Sequence, residues 1–381
     1  MSRNLVLALA AIVCITGFSS CKKAFSSEAN TGLQVEKSES PKHTFLLDSI
    51  KPSGTLKMRG MTFAHEGYDG IRGYGGTTVS PSLDSLAKLH VNSIAIVPYT
   101  FMRDPNKPDT LPIPTRKGME TDAAVLHSVQ EAKRRGWKVL LKPQIWIGRG
   151  HWPGDVSFTS EADWDTWFAG YESWILHYAR LCEANDVDAL CLGTELVHTT
   201  LTHPEKWRHI IAETRKVYSG TLTYAANWGD EFEGLSFWDD LDVVGLNSYY
   251  PLSPKPNPSD AELLAGAKEW MIKANNISAK AGKPLWLPEV GFRSAKAAWI
   301  NPHESPGDRM ASNSCQARCY HAMVLASQEA PMLEGMFVWK WPSYLGRGQR
   351  KSDHHDGKPG RGYVPGGKEA GEVLKRFYEG V

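Results

Sequence analysis

The fold of this 381-residue chain is constrained most by an alternation of short apolar runs with longer stretches of helical period. Strands are expected at 57–65, 92–99, 138–146, the run ending at Glu195, 221–228, 243–250, 285–291 and 335–341. Helices are expected between and after them, at 80–90, 122–135, 160–185, 204–218, 259–281, 314–329 and 368–378. In the helix at 122–135, Ala123, Leu126, Val129 and Ala132 form one stripe, and Gly136 ends it. Eight strands in strand-then-helix order predict a single-domain α/β fold, a (β/α)8 TIM barrel over residues 54–381. A doubly wound open sheet would call for a dinucleotide fingerprint after the first strand. The nearest candidate, Gly70-Ile-Arg-Gly-Tyr-Gly-Gly76, has the wrong spacing and follows a loop.

Two glutamates sit at apolar strand ends, in Leu190-Cys-Leu-Gly-Thr-Glu-Leu196 and Leu285-Trp-Leu-Pro-Glu-Val-Gly291. Carboxylates are costly beside buried strand residues, and barrel enzymes keep their chemistry at the mouth where strand C-termini converge. Two carboxylates meeting there suggest glycoside hydrolysis, one donating a proton to the leaving oxygen and the other attacking or activating water. Side-chain alternation tests whether they can meet. It groups Glu195 with Gly193, Cys191 and Ala189, and Glu289 with Leu287 and Leu285, turning Trp286 outward. Tyr249 and Asn247 share a face on the sixth strand, as Trp339 and Phe337 do on the eighth. A hydrogen bond from Tyr249 would hold Glu289 ionised as nucleophile, leaving Glu195 as proton donor with its pKa raised by the neighbouring carboxylate. The competing expectation is a plain salt bridge of either glutamate with Arg59, Lys142 or Arg293.

Residues 1–20 read as a lipoprotein signal peptide: a positive start, an apolar run from Leu5 to Gly17 too short to span a membrane, then small residues. Ser19-Ser20-Cys21 resembles a bacterial lipobox, with Phe18 where an aliphatic residue is usual. Lipidation of Cys21 would anchor an exported bacterial lipoprotein to a membrane, placing it at the outer membrane, cell surface or periplasm. Residues 21–53, rich in Ser, Lys and Glu, read as a flexible tether. With 43 basic against 42 acidic residues and no basic stripe, no nucleic-acid partner is expected. A monomer is expected. Cys182, Cys191, Cys315 and Cys319 read mainly as packing residues, with a disulfide open to an oxidising compartment. The loop Ser352-Asp-His-His-Asp-Gly357 has the composition of a metal site, but the proposed chemistry needs neither metal nor cofactor.

The 14 tryptophans and 13 tyrosines suit either a core or the apolar faces of sugars. At strand ends, His65 and Glu66, Trp146, His151-Trp152 and Asn227-Trp228 could each stack on rings or bind hydroxyls. His65, Trp146, Asn227 and Asn247 are the better placed for substrate. The pair of glutamates after strands four and seven resembles the pattern of clan A glycoside hydrolases, and Gly193-Thr-Glu-Leu196 with Pro288-Glu-Val-Gly291 resembles glycoside hydrolase family 113. That resemblance implies a retaining β-mannanase, with Glu195 as acid/base, Glu289 as nucleophile and Tyr249 beside it. Trp339 would be the platform under the sugar at the cleaved bond. Many clan members carry Asn before the acid/base; this chain has Thr194. The expected partner is a polysaccharide or oligosaccharide, mannan first and glucan or xylan as alternatives. From another class, a non-catalytic surface glycan-binding lipoprotein would share the tryptophans and the anchor.

Overall fold

The computed structural model describes residues 47–54, 56–346 and 360–379. Ten parallel-paired strands run in chain order as β1 Met58–Ala64, β2 Ser93–Ile96, β3 Tyr99–Met102, β4 Lys138–Leu141 and β5 Gln144–Ile147. They continue as β6 Ala189–Thr194, β7 Thr221–Asn227, β8 Val243–Ser248, β9 Leu285–Val290 and β10 Leu333–Pro342. Eight of them close a barrel in the order β1-β10-β9-β8-β7-β6-β4-β2, while β3 and β5 pair separately. The (β/α)8 architecture is therefore present as expected.

The second sheet is the upward continuation of two barrel strands. Ser93 pairs with Lys138 and Tyr99 with Gln144, the same 45-residue offset on either side of Pro98 and Pro143. Proline has no N–H to give the ladder, so each strand is interrupted without losing its partner. Bonds from Lys142 N–H to Ile96 O and from Gln144 N–H to Pro98 O cross the gap.

Helices follow the strands close to the expected places: Val79–Ala87, Asp122–Arg134, Glu161–Ala184, Pro204–Arg215, Asp260–Ala281, Asn313–Ser327 and Glu369–Tyr378. Four of these starts are capped by side chains. Thr121, Ser160 and Ser312 accept N–H bonds from the first turn, and Ser259 with Glu262 forms a reciprocal capping box. The fifth connection carries only the short helix Asp230–Gly234 and a 3-10 turn, Trp238–Asp240.

Most of the aromatic excess is core. Helix Glu161–Ala184 buries Trp164, Trp167, Tyr171, Trp174 and Tyr178, and Tyr171 packs on Trp207 of the next helix. Inside the ring a smaller cluster includes Ala189, Cys191, Trp286 and Phe337. All four cysteines of the body are free thiols, three of them buried. The terminal helix locks the closure, because the Tyr378 hydroxyl donates to Gly60 O and Met336 O on β1 and β10.

Residues 47–53, expected as the end of the tether, pack on this body. Ile50 is buried and the Ser53 N–H donates to Phe377 O at 2.9 Å. The signal segment, Cys21 and the loop at 352–357 lie outside the described residues.

Candidate active site

Two irregularities in the barrel aim the glutamates. Along β6 the pairing with β7 steps from Cys191–Thr223 to Thr194–Ala225, three residues against two. The extra residue turns Gly193 out of the barrel interior, contrary to the simple alternation. A Cβ on Gly193 would lie 2.6 Å from the Tyr224 ring, 2.8 Å from Trp207 and 2.9 Å from the Tyr171 hydroxyl, all in the outer layer. After this bulge Glu195 takes a left-handed backbone (φ 53°), a conformation that costs a non-glycine residue about 1–3 kcal/mol. The turn is held by Glu195 N–H on Ala225 O, and by Leu196 N–H on the Tyr224 hydroxyl.

On β9 the same device operates around Pro288. Pairing with β8 steps from Gly245–Trp286 to Asn247–Glu289. Trp286 therefore points inward, against Phe337, while Leu285 and Leu287 face the helices. The expected grouping of Glu289 with Leu285 and Leu287 was wrong by this one extra residue. Glu289 still reaches the mouth.

Both glutamates line one cleft of about 270 Å³, together with Tyr99, Gln144, Trp146, Trp152 and Asn247. Glu289 is buried and takes two donors, the Lys142 ammonium at 2.6 Å on Oε2 and the Tyr249 hydroxyl at 2.5 Å on Oε1. Lys142 is itself fully buried, 5.8 Å from the centre of the Trp339 ring. Glu195 is half-buried and takes two neutral donors, Asn247 Nδ2 at 3.0 Å on Oε1 and Trp152 Nε1 at 2.7 Å on Oε2. Burial first, and then the charge of Glu289, push its pKa up, while its two donors and Lys142 pull it back.

A buried network supports the Glu195 turn from behind. Glu231 accepts from the hydroxyls of Thr200 and Tyr224 and from Asn227 N–H, tying β7 to the segment after Glu195. Burial pushes its pKa up to about 7.

The remaining expected residues divide. Trp146 is exposed and forms a wall shared by the cleft and an adjoining cavity of about 780 Å³. Trp339 and His65 line that larger cavity. The ring nitrogens of His65 are engaged with Gly118 O and Tyr74 N–H, so it shapes the wall rather than offering a free donor. Asn227 lies at the end of β7 with its amide turned to Trp228 O, and it lines neither cavity.

Lys142, Gln144 and Glu120 were not among the residues expected to serve substrate. Lys142 appeared only as a salt-bridge partner, and the pairing it forms with Glu289 is real. The alternation Leu140, Lys142, Gln144 puts all three on the inward face, which was the available signal. Gln144 Nε2 and Asn247 Oδ1 are buried without a hydrogen-bond partner, and both residues line the cleft. Glu120 precedes the helix Asp122–Arg134 on a long loop, where no strand pattern marks it. It is buried in the larger cavity, and burial pushes its pKa up to about 7.

The sequence profile of Glycoside Hydrolase Family 113 matches residues 61–363, spanning every barrel strand but the first residues of β1. The chain belongs to that family. It is accordingly a glycoside hydrolase of the clan A fold, with a saccharide substrate. The GH113 β-mannanase of Alicyclobacillus acidocaldarius, solved in complex with ManMIm, is 27% identical. It aligns over 84% of this chain and 96% of its own with a TM-score of 0.73. A second GH113 β-1,4-mannanase structure, at 22% identity, matches over 84% and 98% with the same TM-score of 0.73. More distantly, the endo-β-1,4-mannanase of Thermotoga petrophila shares the fold at 13% identity, covering 86% and 77% with a TM-score of 0.56. No curated protein sequence matches this GH113 chain.

Proposed function

We propose that this GH113 enzyme is a retaining endo-β-1,4-mannanase in which Glu195 is the acid/base and Glu289 the nucleophile. The observation that carries the assignment is the division of donors between the two carboxyls. Glu289 has a buried cation and a hydroxyl on its oxygens, which suits a group that must attack as an anion. Glu195 has neutral donors and a raised pKa, which suits a group that must arrive protonated.

In the first step the Glu289 carboxylate forms a bond to the anomeric carbon while the glycosidic C–O bond breaks. The Glu195 proton passes to the leaving oxygen. In the second step a water oxygen attacks the same carbon, its proton passes to Glu195, and the ester to Glu289 is released. Retaining pairs stand about 5 Å apart. Asn247, paired with Glu289 in the sheet and bonded to Glu195, links the two sides of such a pair. Gln144 Nε2 and Asn247 Oδ1 would gain their missing partners from sugar hydroxyls. The cavity beyond Trp339 gives room for further sugars, which favours internal cleavage.

The test is a panel of mannans, glucans and xylans, scored by release of reducing ends and by the anomer first formed. Mannan cleavage with retention is expected. Glu289→Ala should abolish it in a protein that still folds. Full activity in that variant would remove the nucleophile assignment, inversion would remove the retaining scheme, and binding without cleavage would favour a glycan-binding role. Export and lipid anchoring at Cys21 remain part of the proposal, supported by the apolar run and the lipobox-like Ser19-Ser20-Cys21. Mass spectrometry of the mature N-terminus tests them, and an unmodified Cys21 would contradict them.

A further inference from the structure

Trp152 lies on the loop after β5, where its indole N–H donates to Glu195 Oε2 at 2.7 Å. The contact is built rather than incidental. The backbone N–H of Trp152 donates to Asp155 Oδ2 at 3.1 Å. The ring lies across Gly154, where a Cβ would stand 2.2 to 2.5 Å from three ring carbons. The backbone of Gly154 needs no glycine for its angles, so the missing side chain serves to seat the indole. Behind Glu195, Asn247 is fully buried and fixed on β8, whereas Trp152 is partly exposed on a loop. Of the two donors, the indole is the one open to solvent.

An oxygen that is to protonate a leaving group must meet that group from the open side of the cleft. The leaving sugar and the indole therefore compete for the same oxygen of Glu195. We propose that Trp152 is a positioning residue for the acid/base: its N–H favours the carboxylate form of Glu195 while the leaving-group side is empty. The incoming glycosidic oxygen takes the place of that N–H, the carboxylate takes up a proton from solvent, and the carboxyl then acts as acid. When the leaving sugar departs, the indole returns, and Glu195 is again a base for the water of the second step. This exchange rests on the assignment of Glu195 given above.

Other charges also face this carboxyl. Glu289 raises its proton affinity, and Lys142 and the indole lower it. Glu231 lies behind the turn, and the buried hydroxyls of Tyr99 and Tyr249 stand within its field. His151 and Asp155 flank the indole on its own loop. Of these, only the indole N–H is removed by Trp152→Phe, which keeps an aromatic face.

The experiment uses the full chain and an unactivated oligosaccharide that the wild type cleaves. The basic limb of kcat/KM reports the acid in the free enzyme, and that of kcat reports it in the substrate complex. In Trp152→Phe the kcat/KM limb should move up by about 0.5–1 pH unit, the effect of losing one neutral donor. The kcat limb should stay, because substrate has already displaced the indole. Gly154→Ala, which unseats the indole but leaves it in the chain, should reproduce the pattern and serves if Trp152→Phe does not fold. An unmoved kcat/KM limb, or both limbs moving together, overturns the proposal. Glu195→Gln separates the two failures: if it retains the wild-type basic limb, the acid/base assignment itself is wrong.

Discussion

Lys142 brings a fully buried positive charge to this site. A fully buried ammonium is tolerated only with a partner, and its partner is the carboxylate of Glu289 at 2.6 Å. Lys142 therefore orients Glu289 Oε2, and with Glu289 as the proposed nucleophile it would also supply positive charge where the covalent bond forms and breaks. Lys142→Met keeps the volume and removes the charge. It should lower kcat by about 10²–10³-fold with a much smaller change in KM, as expected for a group that acts on developing charge. The same substitution in a Glu289→Gln background should cost little more, since the two act as one unit. Steady-state kinetics of the cycle measure this, and additive losses would show that Lys142 works independently of Glu289. Glu195 and Glu289 were legible from residue type and strand position alone. Lys142 was not, because a lysine at a strand end is more often a surface charge, and only the closed ring buries this one.

At the scale of elements, the two bulges decide what the strands can present. Simple alternation puts Gly193 inside the barrel, where alanine would be tolerated beside Ala189 and Cys191. The bulge in β6 instead presses it against Tyr224, Trp207 and Tyr171. Gly193→Ala should therefore destabilise the protein by about 1–3 kcal/mol in urea unfolding, the usual cost of overfilling a packed site. It should also lower kcat, because the Leu196 N–H bond to Tyr224 is part of the turn that carries Glu195. Wild-type stability and activity would return Gly193 to the interior. Strand and helix positions were legible because the 2.0 and 3.6 periods and the capping residues agree along most of the chain. The bulges were not. A bulge adds one residue to a strand without changing its composition, and its signal lies in the register with a neighbour far away in sequence. Pro288 was the one local hint, since proline cannot serve a central ladder unless the strand bends there.

For the molecule as a whole, two buried carboxyls outside the proposed acid/base pair make stability depend on pH. Glu120 and Glu231 both have folded-state pKa values raised to about 7 from 4.5, burial being the first cause in each. A raised carboxyl binds more protons in the folded than in the unfolded state between those values. Stability should therefore be full below about pH 4.5 and decline as pH rises through about 7. Glu120→Gln removes the ionisation without changing size. Its stability relative to wild type should rise by about 2–3 kcal/mol between pH 5 and pH 8, read by urea unfolding at both pH values. A constant difference would place the Glu120 carboxyl in contact with water.

The paired continuation of β2 and β4 into β3 and β5 bears on how this enzyme can change over time. Tyr99 and Trp146, which border both cavities, stand on these two strands rather than on free loops. Their heights above the ring are set by a shared offset, so losing one residue from either strand would slide every facing pair by one place. Side chains on this rampart can be exchanged one at a time, and substrate preference can drift with them. Its length can change only in step, on two strands 45 residues apart.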